Sequence, residues 1–280
     1  MHEPLAKQYA VALQVPDVEQ YFFHDPGLAR LDDGTLIVAA PQWQFQRFGG
    51  RQCCRIARSD DGGRSWNELA ELPYPDATPF VVDGRLFMFV QEKSHRTFQI
   101  VTSEDGGRTW TPPVTVLEAP VWNISTPMLA GPDTIYWAMD YSPEGHPCHG
   151  KVMVRLDRGK SPLDPEAWSL SEVVFAPEVP ESISRHLYPT TGFEQGGSKH
   201  VFWLEPNTVE VAGRIRVFTR CVIDRYATAN MAAVLDYDPE TNRLRFTQFA
   251  AWPGGQHKFF IVHDRLSKMY WMLSNLVTNS

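Results

Sequence analysis

An eight-residue segment, Ser59-Asp60-Asp61-Gly62-Gly63-Arg64-Ser65-Trp66, returns 44 residues later as Ser103-Glu104-Asp105-Gly106-Gly107-Arg108-Thr109-Trp110, with six of its eight positions identical. A fixed period marks a structural unit that cannot bury its faces alone and must be stacked on copies of itself. The pattern also has a mechanical reading. Asp and Gly-Gly supply a turn, the Asp and Ser/Thr side chains cap its backbone donors, and the Trp plugs the apolar layer beneath.

Each copy follows strand-like segments in a fixed order. Leu28–Leu31, an Asp32-Asp33-Gly34 turn, Thr35–Ala40 and Cys53–Arg58 precede the first; Pro79–Val82, Asp83-Gly84, Arg85–Val90 and Thr97–Thr102 precede the second. The strand, glycine turn, strand signature comes back at Thr126–Ala138 around Gly131, at Asn207–Thr219 around Gly213, and at Lys258–Val262 with Met269–Ser274. First strands therefore begin near residues 28, 79, 126, 207 and 258, at intervals of 51, 47, 81 and 51. Four-stranded units of this size predict a β-propeller, all-β, with about four and a half blades. Segment 157–204, rich in Pro, reads as inserted or loop-like. No long amphipathic helix is evident.

Composition enters as a test of that reading. A 43% hydrophobic chain with 16 Phe, 9 Tyr and 9 Trp has ample core material, and its 280 residues fit one propeller domain spanning 1–280. The net charge is −7 and no Lys/Arg run stands out, which argues against nucleic acid or an anionic membrane as partner. No leader or membrane-spanning apolar run is seen, and four cysteines, Cys53, Cys54, Cys148 and Cys221, are too few for a disulfide framework. A cytoplasmic chain with reduced thiols is the expectation. No phosphate loop, nucleophile elbow or dinucleotide fingerprint is present, so no cofactor is expected.

With its two repeated segments, the sequence resembles the sialidase (neuraminidase) superfamily, whose six-bladed propellers carry such Asp boxes, or BNR repeats. Asp25–Leu36, Glu205–Val211 and Gly254–Phe259 extend the likeness, which is greatest to bacterial sialidase-like proteins of undefined specificity. The resemblance implies that the boxes lie between third and fourth strands, on the face away from the active site. The functional face then receives the start of each first strand and the end of each second strand. That gathers His24, Asp25, Trp43, Gln44, Glu92, Lys93, Trp122, Asn123, Asp140, Tyr141, Glu205, Asn207, Arg220, Gln256, His257, Lys258 and Asn275.

Within that set the resemblance singles out Glu205 and, one hairpin later, Arg220, as a catalytic carboxylate and a guanidinium for a substrate carboxylate. The two also read as an ordinary ion pair on neighbouring strands. Where sialidases begin their first blade with Arg-Ile-Pro, this chain has His24-Asp25-Pro26, and Arg51–Arg55 stands where their acid/base Asp is found. His24 and Asp25 become alternative acid/base groups, or a structural pair. Substrate contacts are expected from Arg220, Asn207, Trp43, Glu92, Asp140, Tyr141, His257 and Lys258, with Trp43 and Trp122 as sugar platforms. Glu144, His146, Cys148 and His149 form a loop cluster of ligand-type side chains, read as solvated rather than metal-binding.

The implied activity is a glycoside hydrolase of exo-sialidase type acting on an anionic or terminal sugar. The alternative is a non-catalytic propeller that binds glycan or protein. The last unit carries only two strands, so truncation of the propeller and an exposed edge at Met269–Ser274 are expected, with Tyr9–Val15 the one segment suited to close a ring.

Overall fold

The computed structural model describes residues 8–92, 96–122, 125–144, 149–181, 202–222 and 230–275, and among these strand accounts for 55% and helix for 3%. Two compact units result, Met1–Glu118 with Pro162–Pro165, and Ala119–Ser161 with Glu166–Ser280.

In the first unit, β1 (Tyr21–Phe23) and β2 (Gly27–Arg30) both pair antiparallel with β3 (Leu36–Gln44), and β4 (Gln52–Ser59) and β5 (Asn67–Leu72) follow in order. A second meander is built from β6 (Asp76–Val82), β7 (Arg85–Gln91), β8 (Phe98–Ser103) and β9 (Val114–Leu117). The β6–β7 connection has two residues, Asp83 and Gly84, at φ of 48° and 75°. Positive φ at both positions gives the turn whose twist matches its strands, which is why Asp-Gly stands there. One core cluster, including Ile37, Ile56, Leu86, Met88 and Val90, fills the space between the two sheets. Because β7 is buried on both faces from Leu86 to Gln91, its sequence is an apolar run rather than an alternation.

The repeated segments link β4 to β5 and β8 to β9. Asp61 Oδ1 accepts from the Arg64 and Ser65 amides, each at 2.9 Å, and Oδ2 from the Ser65 hydroxyl at 2.6 Å. Asp105 repeats the arrangement with Arg108 and Thr109. Each indole donates to a glycine carbonyl of its own turn, Gly63 or Gly107, at 3.1 Å. The rings are half-buried, a less complete plug than expected, and Trp110 packs against the first unit's core.

In the second unit, β10 (Val121–Trp122) and β11 (Leu129–Ala130) pair with β12 (Thr134–Tyr141), and β13 (Gly150–Asp157) pairs with β14 (Trp168–Leu170) and β15 (Val174–Phe175). The expected loop-like stretch thus supplies the outer strand of the third sheet up to Phe175; its prolines flank the strand pieces instead of replacing them. A fourth sheet runs β16 (Phe202–Val211), β17 (Arg214–Val222), β18 (Met231–Asp238) and β19 (Arg243–Ala251), and β20 (Phe259–Asp264) pairs with β21 (Met269–Ser274). Trp203, Met153, Val217 and Leu235 belong to a core between the third and fourth sheets, and Val209, Phe218, Phe259 and Ile261 to one between the fourth and fifth.

The second and fourth sheets have the expected four strands; the first has five and the third six, because outer or inner strands are split into two pieces, and the fifth has two. Among the described residues β21 pairs with β20 alone, and Tyr9–Val15 is in no strand. Cys53, Cys54 and Cys221 are buried free thiols; burial pushes Cys221 up to about 12.

Candidate functional site

The first strand of three sheets is broken at a residue with left-handed backbone. Asp25 (φ 43°) separates β1 from β2, Ser125 (φ 57°) lies between β10 and β11, and Glu205 (φ 51°) sits inside β16. A proline follows one or two residues later each time, at Pro26, Pro127 and Pro206, and cannot donate to a ladder. Such breaks re-aim side chains and cost backbone energy, and both features concentrate at functional sites.

The Glu205 break is the best defined. Leu204 pairs with Arg220 and Asn207 with Phe218, so Glu205 and Pro206 bulge opposite Thr219. Side chains replace the lost ladder bonds. Asp140 Oδ2 accepts from the Glu205 amide at 3.0 Å, the Thr219 hydroxyl donates to the Leu204 carbonyl at 2.7 Å, and Asn207 Nδ2 donates to the Glu205 carbonyl at 3.1 Å. The same Asn207 amide donates to the Phe259 carbonyl at 3.2 Å and accepts from the Ile261 amide at 2.9 Å, tying β16 to β20.

Charges are layered around this bulge. Deepest lies Lys151, 0% exposed, with Nζ 2.5 Å from Asp140 Oδ1, 2.9 Å from the Trp203 carbonyl oxygen that it bonds, and 4.9 Å from the Trp203 ring centroid. Burial holds its ammonium below the ordinary lysine range, with Asp140 pulling the other way. Above that pair the Glu205 carboxylate meets Arg220 Nε on one oxygen and Lys258 Nζ, at 3.7 Å, on the other. Side-chain exposure rises outward, from 12% at Glu205 and 18% at Arg220 to 47% at Lys258. Among the described residues, two carboxylates thus face three cations, with Lys258 on the side open to solvent.

In the first unit His24 Nδ1 lies 2.9 Å from Asp25 Oδ2, and the imidazole meets Trp43 edge to face at 4.3 Å. The Trp43 indole donates to the Pro75 carbonyl at 3.0 Å. This pair can orient an imidazole and fix its tautomer. Glu92 is exposed at the end of β7 and, after burial itself, is the second cause that raises the Tyr74 phenol above its ordinary range.

The second unit therefore brings Glu205, Arg220 and Lys258 together as expected. Asp140 and Asn207 need correction. Both were expected to touch a ligand, yet both are 0% exposed, with their polar atoms committed to the Glu205 bulge and to Lys151 or β20 beside it. Tyr141 is half-buried opposite Val121 and Gly150, His257 is half-buried in the turn before β20, and Trp122 stacks edge to face on His149 at 5.4 Å. His149 shares a 2.9 Å bond with Ser142, and burial lowers its pKa. Lys93, Asn123, His146 and Cys148 lie outside the described residues. Sequence reasoning missed Lys151 and Ser125. The signal for Lys151 was a lone cation in the apolar stretch Gly150–Val154; for Ser125 it was the same polar-then-proline pattern as Asp25-Pro26 and Glu205-Pro206.

No protein-family profile matches the sequence, and no curated protein matches it. Solved structures do resemble it. A protein of unknown function from Dyadobacter fermentans is similar over 88% of this chain and 73% of its own, at 15% identity and a TM-score of 0.56. An α-L-arabinanase from Penicillium chrysogenum, solved with arabinobiose, is similar over 92% and 76%, at 14% identity and a TM-score of 0.55. A Hadza microbial sialidase is similar over 87% of this chain and 50% of its own, at 15% identity and a TM-score of 0.50. At such identities the likeness is one of fold, and the fold is the sialidase-like β-propeller, shared with glycoside hydrolases.

Proposed function

We propose that this sialidase-like propeller is a glycoside hydrolase acting on an anionic or terminal sugar, with Glu205 as its central carboxylate and the two repeated turns as Asp boxes. One observation carries the reading. Glu205 is held at a left-handed bulge, fixed through its amide by the buried Asp140–Lys151 pair, and presents its carboxylate between Arg220 and Lys258. A carboxylate so placed can act as acid, base or electrostatic partner at a glycosidic carbon, and a guanidinium beside it suits a sugar carboxylate. His24, with Asp25 as its orienting partner, is a second acid/base candidate.

A binding propeller without turnover is the second reading. What favours it is that Glu205 already has Arg220 as a partner on the adjacent strand, the arrangement of an ordinary ion pair. Assay of the purified chain against chromogenic glycosides, sialosides and uronides included, separates the two. Turnover by the wild type and its loss in Glu205→Gln, with an unchanged circular dichroism spectrum and melting temperature, is the expected result. Full turnover in Glu205→Gln retires Glu205; calorimetric binding of a glycan without hydrolysis selects the second reading.

A further inference from the structure

At the other end of β16, five residues beyond Glu205 and about 16 Å away at the usual strand rise, the second unit holds a cavity that the site above does not use. Its volume is about 480 Å³, within the size range of small-molecule sites. The floor is apolar: Val209 and Ile261, 5% and 4% exposed, with the stretch from Pro127 to Ala130 as one wall. The rim is basic. Arg265 and Lys268, both from the β20–β21 turn, line it beside His263, and among the described residues neither Arg265 nor Lys268 has an ion-pair partner.

Two acids lie close enough to matter. Glu210 lines the cavity and is exposed; its backbone carbonyl accepts from the Tyr270 hydroxyl, which pins that ring to the rim. Asp264 precedes Arg265 in the chain, but its carboxylate is committed to the turn, accepting from the Leu266 and Ser267 amides and the Ser267 hydroxyl. The lining thus carries two fixed cations against one carboxylate, over a floor of Val209 and Ile261 with the Thr208 hydroxyl beside them. The His263 ring, 4.8 Å from that of Tyr270, adds a flat edge to the mouth.

We propose that this cavity binds a small organic anion with an apolar body, its acidic group between Arg265 and Lys268 and its body on Val209 and Ile261. Charge complementarity sets the class: a neutral apolar molecule would make no use of the two exposed cations at the rim, and an inorganic anion would leave the apolar floor wet. This inference is independent of any hydrolysis at Glu205.

The test uses the full chain and two dyes, 1-anilinonaphthalene-8-sulfonate and its uncharged counterpart N-phenyl-1-naphthylamine, followed by fluorescence titration. Leu273→Lys is the control for the exposed face of β21, which also attracts dyes. The expected result is saturable one-to-one binding of the sulfonate, weakened about tenfold or more by Arg265→Glu/Lys268→Glu, a change that circular dichroism shows to leave the fold intact. Leu273→Lys leaves that affinity unchanged, and binding of the neutral dye does not respond to the charge reversal. Equal sulfonate affinity in the double variant, loss of binding in Leu273→Lys, or no saturable binding at all overturns the proposal.

Discussion

Lys151 places an ammonium where water does not reach, held by Asp140, the Trp203 carbonyl and the Trp203 ring. Desolvation of two ions costs several kcal/mol each, so either one left alone is far worse than both together. Lys151→Met should therefore destabilise by about 3–5 kcal/mol, whereas Lys151→Met/Asp140→Asn, which removes the stranded charge and keeps an acceptor for the Glu205 amide, should recover most of that loss. Urea unfolding of both single variants and the double variant checks this; a double loss equal to the sum of the two single losses would show that the pair is not coupled. The same residues mark what the sequence did and did not disclose. Glu205 and Arg220 could be found because the resemblance to sialidases implies a Glu followed one hairpin later by an Arg, and the chain has both at that spacing. Asp140 and Asn207 were placed on the correct strands but at the wrong depth, since nothing local tells a strand end under a bulge from one facing solvent. Lys151 was passed over because lysine is exposed by default, and only a strand buried on both faces forces it inside.

Among the elements, the repeated turns are legible from the sequence because the hydrogen bonds of Asp61 and Asp105 all stay within four residues. Their carboxylates serve as caps: hydroxyl and amide donors hold Asp105 down at about 2 and Asp61 lower still, against an ordinary 3.8. A folded-state pKa below the unfolded one means that the unfolded chain binds the extra protons first. The stability these turns contribute is complete above pH 3.8 and is lost as pH falls toward 2. Asp105→Asn should thus melt at a lower temperature at pH 6 and lose less on acidification, so that its curve of melting temperature against pH is shallower below pH 4. Parallel curves for variant and wild type would remove the turns from the acid response. Two-residue turns such as Asp83-Gly84 were equally legible from their positive-φ residue types. The bulge at Glu205 was not, because it answers to a partner distant in sequence: Asp140 lies 65 residues from the amide it accepts. The early start of β16 at Phe202, ahead of Asn207, has the same cause, since a proline inside the strand hides its continuation.

Across the molecule, stability should be uneven, and the fifth sheet is where it should be lowest. A two-stranded sheet is marginal without packing on at least one face. Here one face packs, through Phe259 and Ile261 against Val209, Phe218 and Val234. The other face, Phe260 and Val262 on β20 with Trp271 and Leu273 on β21, is 40–73% exposed. No proline or charged side chain guards β21 between Met269 and Ser274, so the strand has neither a further partner among the described residues nor a deterrent to acquiring one. β21 has one tie of its own to the fourth sheet, the Tyr270 hydroxyl on the Glu210 carbonyl; β20 has Asn207, whose side chain accepts from the Ile261 amide and donates to the Phe259 carbonyl. Native-state hydrogen exchange should therefore rank the β21 amides first to exchange, the β20 amides next, and those of β17 and β18, central in a four-stranded sheet, last. Asn207→Leu should remove the middle step, bringing Ile261 to the rate of β21, while β17 and β18 slow or quicken only with global stability. If the Ile261 amide keeps its protection in that variant, the hairpin is held by its apolar face alone, and the link from the Glu205 bulge to the fifth sheet carries no stability.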